Sequence, residues 1–204
     1  MKLSPLLEQL IKALQCLPGI GQKSAQRMAL HLLSKDRTRG LILSDALEDA
    51  MKQIDLCTNC RNYTEEPVCR ICSDPNRESG LLCIVENALD VMAIETANNF
   101  NGYYFVLHGR ISPLDGIGPE ALGIETLREL LNMRNIEEVI LATNATIEGE
   151  ATAHYITELL GQFSPHTQVS RIAHGIPVGG ELEMTSSNTL AYALADRKLI
   201  TNGA

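Results

Sequence analysis

The sequence contains no Trp, only three Phe and five Tyr, so aromatic residues make up 4% of its 204 positions. A hydrophobic core must therefore be built mostly from aliphatic side chains. No apolar run approaches the roughly 20 residues that a membrane helix needs. Glu8, Gln9 and Lys12 interrupt the first apolar segment, where a secretion signal would need an unbroken one. We therefore expect a cytoplasmic protein with reduced thiols and no membrane contact.

Positive charge is scarce outside the first 40 residues. The chain has 17 basic and 25 acidic residues and a formal net charge of −8. Residues 1–40 nevertheless hold seven basic and two acidic side chains, which gives them +5 and leaves −13 for the remainder. This balance argues against a basic nucleic-acid binder as a whole. It favours a basic arm on an acidic body.

The pattern of apolar residues predicts a multidomain α+β protein. Three N-terminal helices are expected over 5–17, 22–33 and 41–54, followed by a polar, cysteine-rich segment over 57–72. Short apolar runs then predict strands over 81–85, 103–107, 139–142 and 169–172. Helical patterns lie between and after them, over 88–96, 119–133, 150–160 and 190–196. Strands that alternate with helices predict βαβ units and a mostly parallel sheet.

The segment Leu17-Pro18-Gly19-Ile20-Gly21 joins the first two helices and has the signature of a helix-hairpin-helix motif. Gly19 and Gly21 allow a positive φ and a close approach of the backbone to a partner. The second helix then begins with unpaired N–H groups, which form an anion site. Lys23 and Arg27 lie four residues apart near this helix start and point to the same side. We predict that the hairpin binds DNA phosphates without reading the base sequence.

Three further basic residues follow the second helix: Lys35, Arg37 and Arg39. They either extend the phosphate-binding patch or solvate a loop. Few aromatic residues lie nearby, so the stacking of single-stranded bases is not the favoured mode of binding.

Four cysteines form two Cys-x2-Cys pairs that are separated by eight residues. Two such pairs supply four thiolates to one tetrahedral Zn2+ and leave no open coordination position, so the site is predicted to be structural. The alternatives are two disulfides, which reduced thiols disfavour, and an iron–sulfur cluster, for which the spacing is less typical. Cys16 and Cys83 lie in apolar stretches and are expected in the core. The predicted zinc ligands are Cys57, Cys60, Cys69 and Cys72.

Acidic residues follow two of the predicted strands. Glu86 comes after the first, and Glu148 and Glu150 come after the third. Ligand sites of open α/β sheets lie at the carboxyl ends of the strands, where three carboxylates could hold Mg2+. The pattern resembles the Toprim domains of topoisomerases and primases. Alternatively, Glu86 is an ordinary loop acid and Glu150 an acidic residue favoured by a helix N-terminus.

Two loops and two tyrosines complete the candidate features. The segment 108–119 is dense in turn-forming residues, and loops of this length are usually functional. His108 within it is either an acid–base residue or a hydrogen-bonded loop residue. The segment 175–183 lacks the Gly-Lys-Ser/Thr of a phosphate-binding loop, so ATP hydrolysis is not expected. Tyr103 and Tyr104 lie at a strand start and are expected to pack in the core.

The order of these parts, together with the segments HGRISPLDGIGP, ATNATIEGEATA and GIPVGGELE, resembles the RecR family of bacterial recombination mediators over essentially the whole chain. The resemblance implies a non-enzymatic, clamp-like DNA-binding factor in recombinational repair. It implies action with RecO and RecF to help load RecA at single-stranded gaps, assembly as homodimers and homotetramers, and a location at the nucleoid in the cytoplasm. It also implies sequence-independent binding to duplex DNA or single/double-strand junctions.

The resemblance assigns roles to individual residues as well. Lys23 and Arg27 match the DNA contacts of the family, and the four cysteines match its zinc ligands. Glu86 and the segment around Glu148 match the Toprim region to which RecO docking is attributed. Catalytic Toprim domains usually carry an Asp-x-Asp pair, whereas this chain has Glu148-Gly149-Glu150, which argues against Mg2+ binding.

Four segments are therefore predicted. Residues 1–55 form the helix-hairpin-helix region, 56–79 the zinc finger, 80–176 the Toprim domain, and 177–204 a C-terminal helical segment involved in oligomerisation. The competing prediction is a Mg2+-dependent nuclease or primase-like enzyme that uses Glu86, Glu148 and Glu150.

Overall fold

A computed structural model describes residues 3–113, 116–173 and 175–197. The chain divides into two compact units, one ending at Ile54 and the other beginning at Asp55. Among the described residues, no helix is both long and apolar enough to cross a membrane. Residues 114–115 of the predicted loop and 198–204 of the predicted C-terminal segment lie outside the described residues, and the predicted boundaries within the second unit stay predictions.

The first unit consists of three helices, α1 (Pro5–Leu14), α2 (Gln22–Lys35) and α3 (Arg37–Gln53). Pro5 begins α1, where the missing N–H of proline costs nothing. Ile11 of α1 is buried against Ala25 and Ala29 of α2, whose small side chains let the two helices approach closely. The third helix begins four residues earlier than predicted, because the carboxylate of Asp36 accepts the backbone N–H of Arg39 and caps its start.

The second unit begins with a small cysteine-rich module. Two short antiparallel strands, β1 (Asp55–Leu56) and β2 (Tyr63–Thr64), flank the first cysteine pair. A single helical turn, α4 (Arg70–Ser73), follows and contains the last cysteine. This module stands before a larger α/β domain.

The α/β domain is built on four parallel strands, all at the predicted positions: β3 (Leu81–Val85), β4 (Tyr103–Val106), β5 (Glu138–Ala142) and β6 (Gln168–Arg171). Their order across the sheet is β4-β3-β5-β6. The chain therefore leaves β3 to one side for β4 and crosses to the other side for β5. This reversal places a topological switch point at the carboxyl ends of β3 and β5, where α/β sheets bind ligands.

Three helices cover the sheet: α5 (Ala88–Ala97), α6 (Ile124–Met133) and α7 (Ile147–Phe163). Val91 of α5 packs in one buried cluster with Val85 and Tyr104. Helices α6 and α7 form a second cluster with the alternate strand residues, among them Ile84 and Phe105. The predicted multidomain α+β fold with a parallel sheet is confirmed.

Helix bounds in the second unit also differ from the sequence prediction. The predicted helix 119–133 is interrupted at Gly123, whose φ of 70° separates a 3-10 turn, Pro119–Leu122, from α6. Helix α7 begins at Ile147, because the side chain of Thr146 accepts the N–H of Gly149 and caps the helix. The C-terminal segment contains a 3-10 turn, Leu182–Met184, and a final helix, α8 (Ser187–Ala195).

Candidate functional site

The hairpin turn between α1 and α2 depends on one left-handed glycine. Gly19 has a φ of 77°, as the sequence predicted, and Ile20 donates its N–H to the carbonyl of Leu17 at 3.1 Å. The expected positive φ of Gly21 is wrong, because Gly21 is the N-cap of α2 and an N-cap residue takes an extended backbone, here with φ −80°. A Cβ on Gly21 would meet no described atom within 4 Å. This glycine therefore leaves the helix start open on its outer side.

The start of α2 has the features of an anion site. No side chain among the described residues caps it, so its first N–H groups stay available to an outside acceptor. Lys23 and Arg27 are exposed, whereas Ala25 and Ala29 face the hydrophobic cluster with α1. The structure thus brings two cations together on the outer face of the helix that carries the open N-terminus.

The other three predicted DNA-binding residues lie elsewhere. Lys35 ends α2, about 18 Å along the helix from Lys23 at 1.5 Å per residue. Arg37 donates from Nε to the carbonyl of Leu33 at 3.0 Å, and Arg39 forms an ion pair with Asp36 at 3.2 Å. These residues therefore form a separate basic group at the far end of α2. Their contact with DNA stays a prediction.

The four predicted metal ligands are brought together and buried. Their sulfur atoms all lie within 4.8 Å of one another, and Sγ of Cys60 is 3.5 Å from Sγ of Cys69. Four sulfurs at about 2.3 Å from a zinc ion lie about 3.8 Å apart in a tetrahedron, so this cluster fits one structural Zn2+. Backbone N–H groups point at the sulfurs, with Cys69 N at 3.3 Å from Sγ of Cys57. Such bonds orient the thiolates and support the metal.

The two remaining cysteines differ in their surroundings. Cys83 is buried in β3, and burial raises the pKa of its thiol to about 12. Cys16 was expected in the core, which is wrong. It is exposed because it lies in the turn beyond α1, where its N–H bonds the carbonyl of Ala13.

Arginines that the sequence reasoning missed fasten the zinc module to the α/β domain. Arg61 directly follows Cys60 and precedes β2. It donates to the carbonyls of Leu107 (3.1 Å) and Leu122. Arg134 donates to the carbonyl of Cys72 at 3.0 Å and stacks on the ring of Tyr103. No local sequence pattern indicates these contacts, because they join residues 31 to 62 positions apart.

The segment that follows the zinc module is fixed in the same way. Arg77 donates to both carboxylate oxygens of Glu95 on α5, and to the carbonyl of Gly102 at 3.1 Å. Tyr104 donates to the same carboxylate at 2.6 Å. The hydrogen bonds from Arg77 hold the pKa of Glu95 below its usual value, and those with Glu95 raise the pKa of Arg77.

Two tyrosines and a histidine with predicted roles lie in the same region. Tyr103 and Tyr104 are buried in the core, as predicted. His108 donates from Nε2 to the carbonyl of Arg61 and contacts the ring of Tyr63. It is therefore a hydrogen-bonded loop residue that joins the α/β domain to the zinc module.

Glu86 directly follows β3 and is only 4% exposed. One carboxylate oxygen accepts the backbone N–H of Asn144 at 2.8 Å, and the other accepts its side-chain Nδ2 at 2.6 Å. Asn144 is the second residue after β5, and this strand pairs with β3 so that Val85 lies opposite Ala142. The carboxylate is thus held by a neutral residue of the adjacent strand end.

The other two acidic residues lie within the first turn of α7. Glu150 is paired with Arg171 of β6, which also reaches the hydroxyl of Thr143 at 3.3 Å. Glu148 is partly exposed beside Ile147, whose side chain is 87% exposed. Glu86 and this acidic pair therefore face different neighbours and do not converge on one point. Among the described residues, only the four cysteines form a group that could hold a metal ion.

Three family models match consecutive parts of the chain. One described as the helix-hairpin-helix of RecR matches residues 7–51. One described as the four-cysteine zinc finger domain of RecR matches residues 54–74, and a Toprim domain model matches residues 80–173. The chain has the domain architecture of the RecR family.

The RecR architecture supports a role in recombinational repair, with DNA binding suggested by its helix-hairpin-helix and zinc-finger domains. It also confirms the interpretation of the four cysteines as one structural zinc site. RecR-family domains suggest a non-enzymatic mediator, although Toprim domains are present in some enzymes.

Proposed function

We propose that the chain is a non-enzymatic recombination mediator that binds DNA through its hairpin and acts with RecO and RecF to help load RecA at single-stranded gaps. The observation that carries this proposal is the uncapped start of α2, next to the exposed Lys23 and Arg27. Contacts from N–H groups and cations to phosphates are independent of base sequence, as a repair factor requires. Action at the nucleoid in the cytoplasm follows from this DNA partner.

Titration of DNA at several salt concentrations tests the proposal. Each neutralised phosphate contributes about −0.9 to the slope of log K against log salt, so Lys23→Ala with Arg27→Ala should flatten the slope by up to about 1.8. Affinity should fall equally on unrelated sequences. The matched control, Lys52→Ala with Arg128→Ala, removes the same charge from exposed positions on two other helices. Equal effects of the two double variants would contradict a hairpin site.

We further propose assembly into homodimers and homotetramers. The structure describes every residue of helix α3, and none of them is buried. Its apolar side chains Leu41, Leu47 and Met51 are 53 to 78% exposed. The C-terminal segment likewise exposes Val178, Met184 and Leu194. Exposed apolar groups of this kind favour protein–protein contacts. Several hairpins in one assembly would bind DNA with an avidity that a single basic arm lacks, and light scattering with and without duplex DNA measures this assembly.

The exposed start of α7 is the proposed docking surface for RecO. Ile147 supplies an apolar contact, and Glu148 with Glu150 supplies negative charge for a basic partner. Glu86 acts indirectly, because it is buried and holds the loop before α7 through Asn144. Glu148→Ala should lower the rate of association with RecO and should make that rate less dependent on salt concentration. Glu158→Ala, an exposed carboxylate later on the same helix, is the control and should leave RecO binding unchanged.

The alternative function is a Mg2+-dependent nuclease or primase-like activity. The contacts of Glu86 do not favour it, because both carboxylate oxygens already accept hydrogen bonds from Asn144. A cleavage assay with Mg2+ and Mn2+ separates the two functions. Cleavage by the wild-type chain that disappears in Glu86→Gln would favour the enzyme.

A further inference from the structure

The Toprim domain implies a divalent cation at its strand ends, and the residues of this chain can be tested for that role. Mg2+ requires near-octahedral oxygen ligands and usually keeps several of its waters. Glu86 is the carboxylate nearest the switch point, but its oxygens are directed at two N–H donors of Asn144, at 2.8 and 2.6 Å. Each oxygen of Glu86 thus already faces the positive end of one N–H group, which repels a cation that approaches from the same side.

Two threonine hydroxyls near the end of β5 are engaged in hydrogen bonds as well. Thr146 accepts the N–H of Gly149 at 3.1 Å, and Thr143 donates to the carbonyl of Gly149 at 3.0 Å. Both hydroxyls therefore serve the start of α7. The carboxylate of Glu150, on the first turn of this helix, is turned to Arg171.

Helix α7 packs closely against one side of the contact between Glu86 and Asn144. A Cβ on Gly149 would collide with the carbonyl oxygen of Asn144 and would lie 3.0 Å from a carboxylate oxygen of Glu86. The start of α7 thus rests directly on the contact between Glu86 and Asn144. On the side that faces α7, the packing leaves no room for even one added carbon atom at Gly149. The residues present do not fit Mg2+.

We propose that Asn144 closes the Toprim site to divalent cations, because its two N–H groups supply Glu86 with the positive partner that a metal ion would otherwise provide. The strand ends are then a hydrogen-bonded clasp between β3 and β5 that holds without metal. Asn144→Asp keeps the size of the side chain but places two carboxylates against each other. Only a cation can relieve that repulsion while both stay charged.

The test compares thermal unfolding midpoints of the full chain, with its zinc, in metal-free buffer and in millimolar MgCl2 or MnCl2 at matched ionic strength. The wild-type midpoint should not respond to either cation beyond the response of Glu86→Gln. Asn144→Asp should have a lowered midpoint, and either cation should restore most of the loss. Asn144→Ala should be lowered without recovery, because it lacks the second carboxylate. Asn144→Asp combined with Glu86→Gln should not recover either.

Two results would overturn the proposal. One is stabilisation of the wild-type chain by Mg2+ or Mn2+ that disappears in Glu86→Gln, because the site would then be open to cations. The other is a folded Asn144→Asp variant whose midpoint ignores both cations. Should Asn144→Asp be unfolded in metal-free buffer, folding on addition of MgCl2 supports the proposal. Failure to fold in MgCl2, where Asn144→Ala does fold, counts against it.

Discussion

The polar groups at the hairpin turn are open to solvent, whereas those at the strand ends of the Toprim domain are hydrogen-bonded within the chain. At the hairpin, the start of α2 is uncapped, Lys23 and Arg27 are exposed, and Gly21 has open space where a Cβ would be. At the strand ends, Glu86 is buried and bound through both oxygens, and Gly149 is packed against it. Unsatisfied groups on a surface are available to a ligand, whereas groups paired within the chain stabilise the fold.

A second contrast lies within the second unit, between the zinc cluster and the strand ends where Toprim domains hold a divalent cation. The zinc cluster has four buried ligands, backbone N–H groups directed at its sulfurs, and arginines that join it to the α/β domain. The strand ends have one buried carboxylate and an amide that replaces the ion. A chain can therefore retain the fold of a metal-dependent domain while the metal that its residues fit is a structural one.

The largest expected effect is the loss of stability on removal of a zinc ligand, because the zinc site belongs to the second unit, whose polar groups are paired within the chain. Structural zinc contributes on the order of 10–16 kcal/mol in small zinc peptides, so Cys57→Ser should lower zinc content and unfolding midpoint together. Cys16→Ser is the matched control, because Cys16 is an exposed cysteine outside the cluster. Zinc content by atomic absorption and thermal unfolding of both variants check this. Full stability of a zinc-free preparation would show that the cluster is dispensable.

Two glycine-to-alanine substitutions sharpen the comparison directly. Gly149→Ala forces a Cβ into the carbonyl of Asn144, and overpacking of this kind costs about 1–3 kcal/mol. Gly21→Ala meets no described atom, so stability should change by no more than about 1 kcal/mol, while the methyl group hinders the approach of a phosphate. The expected result is a loss of stability without loss of DNA affinity at Gly149, and the reverse at Gly21. If the same variant showed the larger loss of both stability and DNA affinity, the two regions would not differ in the way described.

The sequence predicted those features that depend on a local pattern. Continuous apolar runs located all four parallel strands, and the cysteine spacing located the zinc ligands. The local pattern failed where a cap or a turn determined the backbone, as at Gly21, Cys16 and the start of α7 at Ile147. The acidic residues suggested a site after β5, but the residue that contacts Glu86 is Asn144. A polar residue two positions after the end of a buried strand was the available signal.

The long-range contacts were not predictable from the sequence. Arg61, Arg134 and Arg171 contact groups 21 to 62 positions away, and nothing in the local spacing identifies their partners. These contacts form because the folded sheet brings together loops that are distant in the sequence. These contacts explain why the zinc module belongs to the same compact unit as the Toprim domain.

A smaller effect than that of Gly149→Ala is expected for the ion pair between Arg77 and Glu95, which lies in the second unit and responds to pH. Hydrogen bonds from Arg77 hold the pKa of Glu95 below its ordinary value of 4.5. The unfolded chain therefore binds a proton at a higher pH than the folded chain does. The stabilisation is fully present above pH 4.5 and is lost as the pH falls through the depressed pKa. Because both side chains are partly buried, we expect a contribution of about 1–2 kcal/mol.

Glu95→Gln tests this contribution, because it keeps the shape of the side chain and removes the charge. At neutral pH the variant should unfold at lower denaturant concentration than the wild-type chain, and the difference should shrink as the pH is lowered below 4.5. Glu158→Gln is the control, since its carboxylate is 63% exposed and pairs with the exposed His154 on the same helix. DNA affinity should be the same for all three chains, because the hairpin lies in the other compact unit. A difference between wild type and Glu95→Gln that persists unchanged at low pH would mean that packing or hydrogen bonding, rather than charge, accounts for the effect of Glu95.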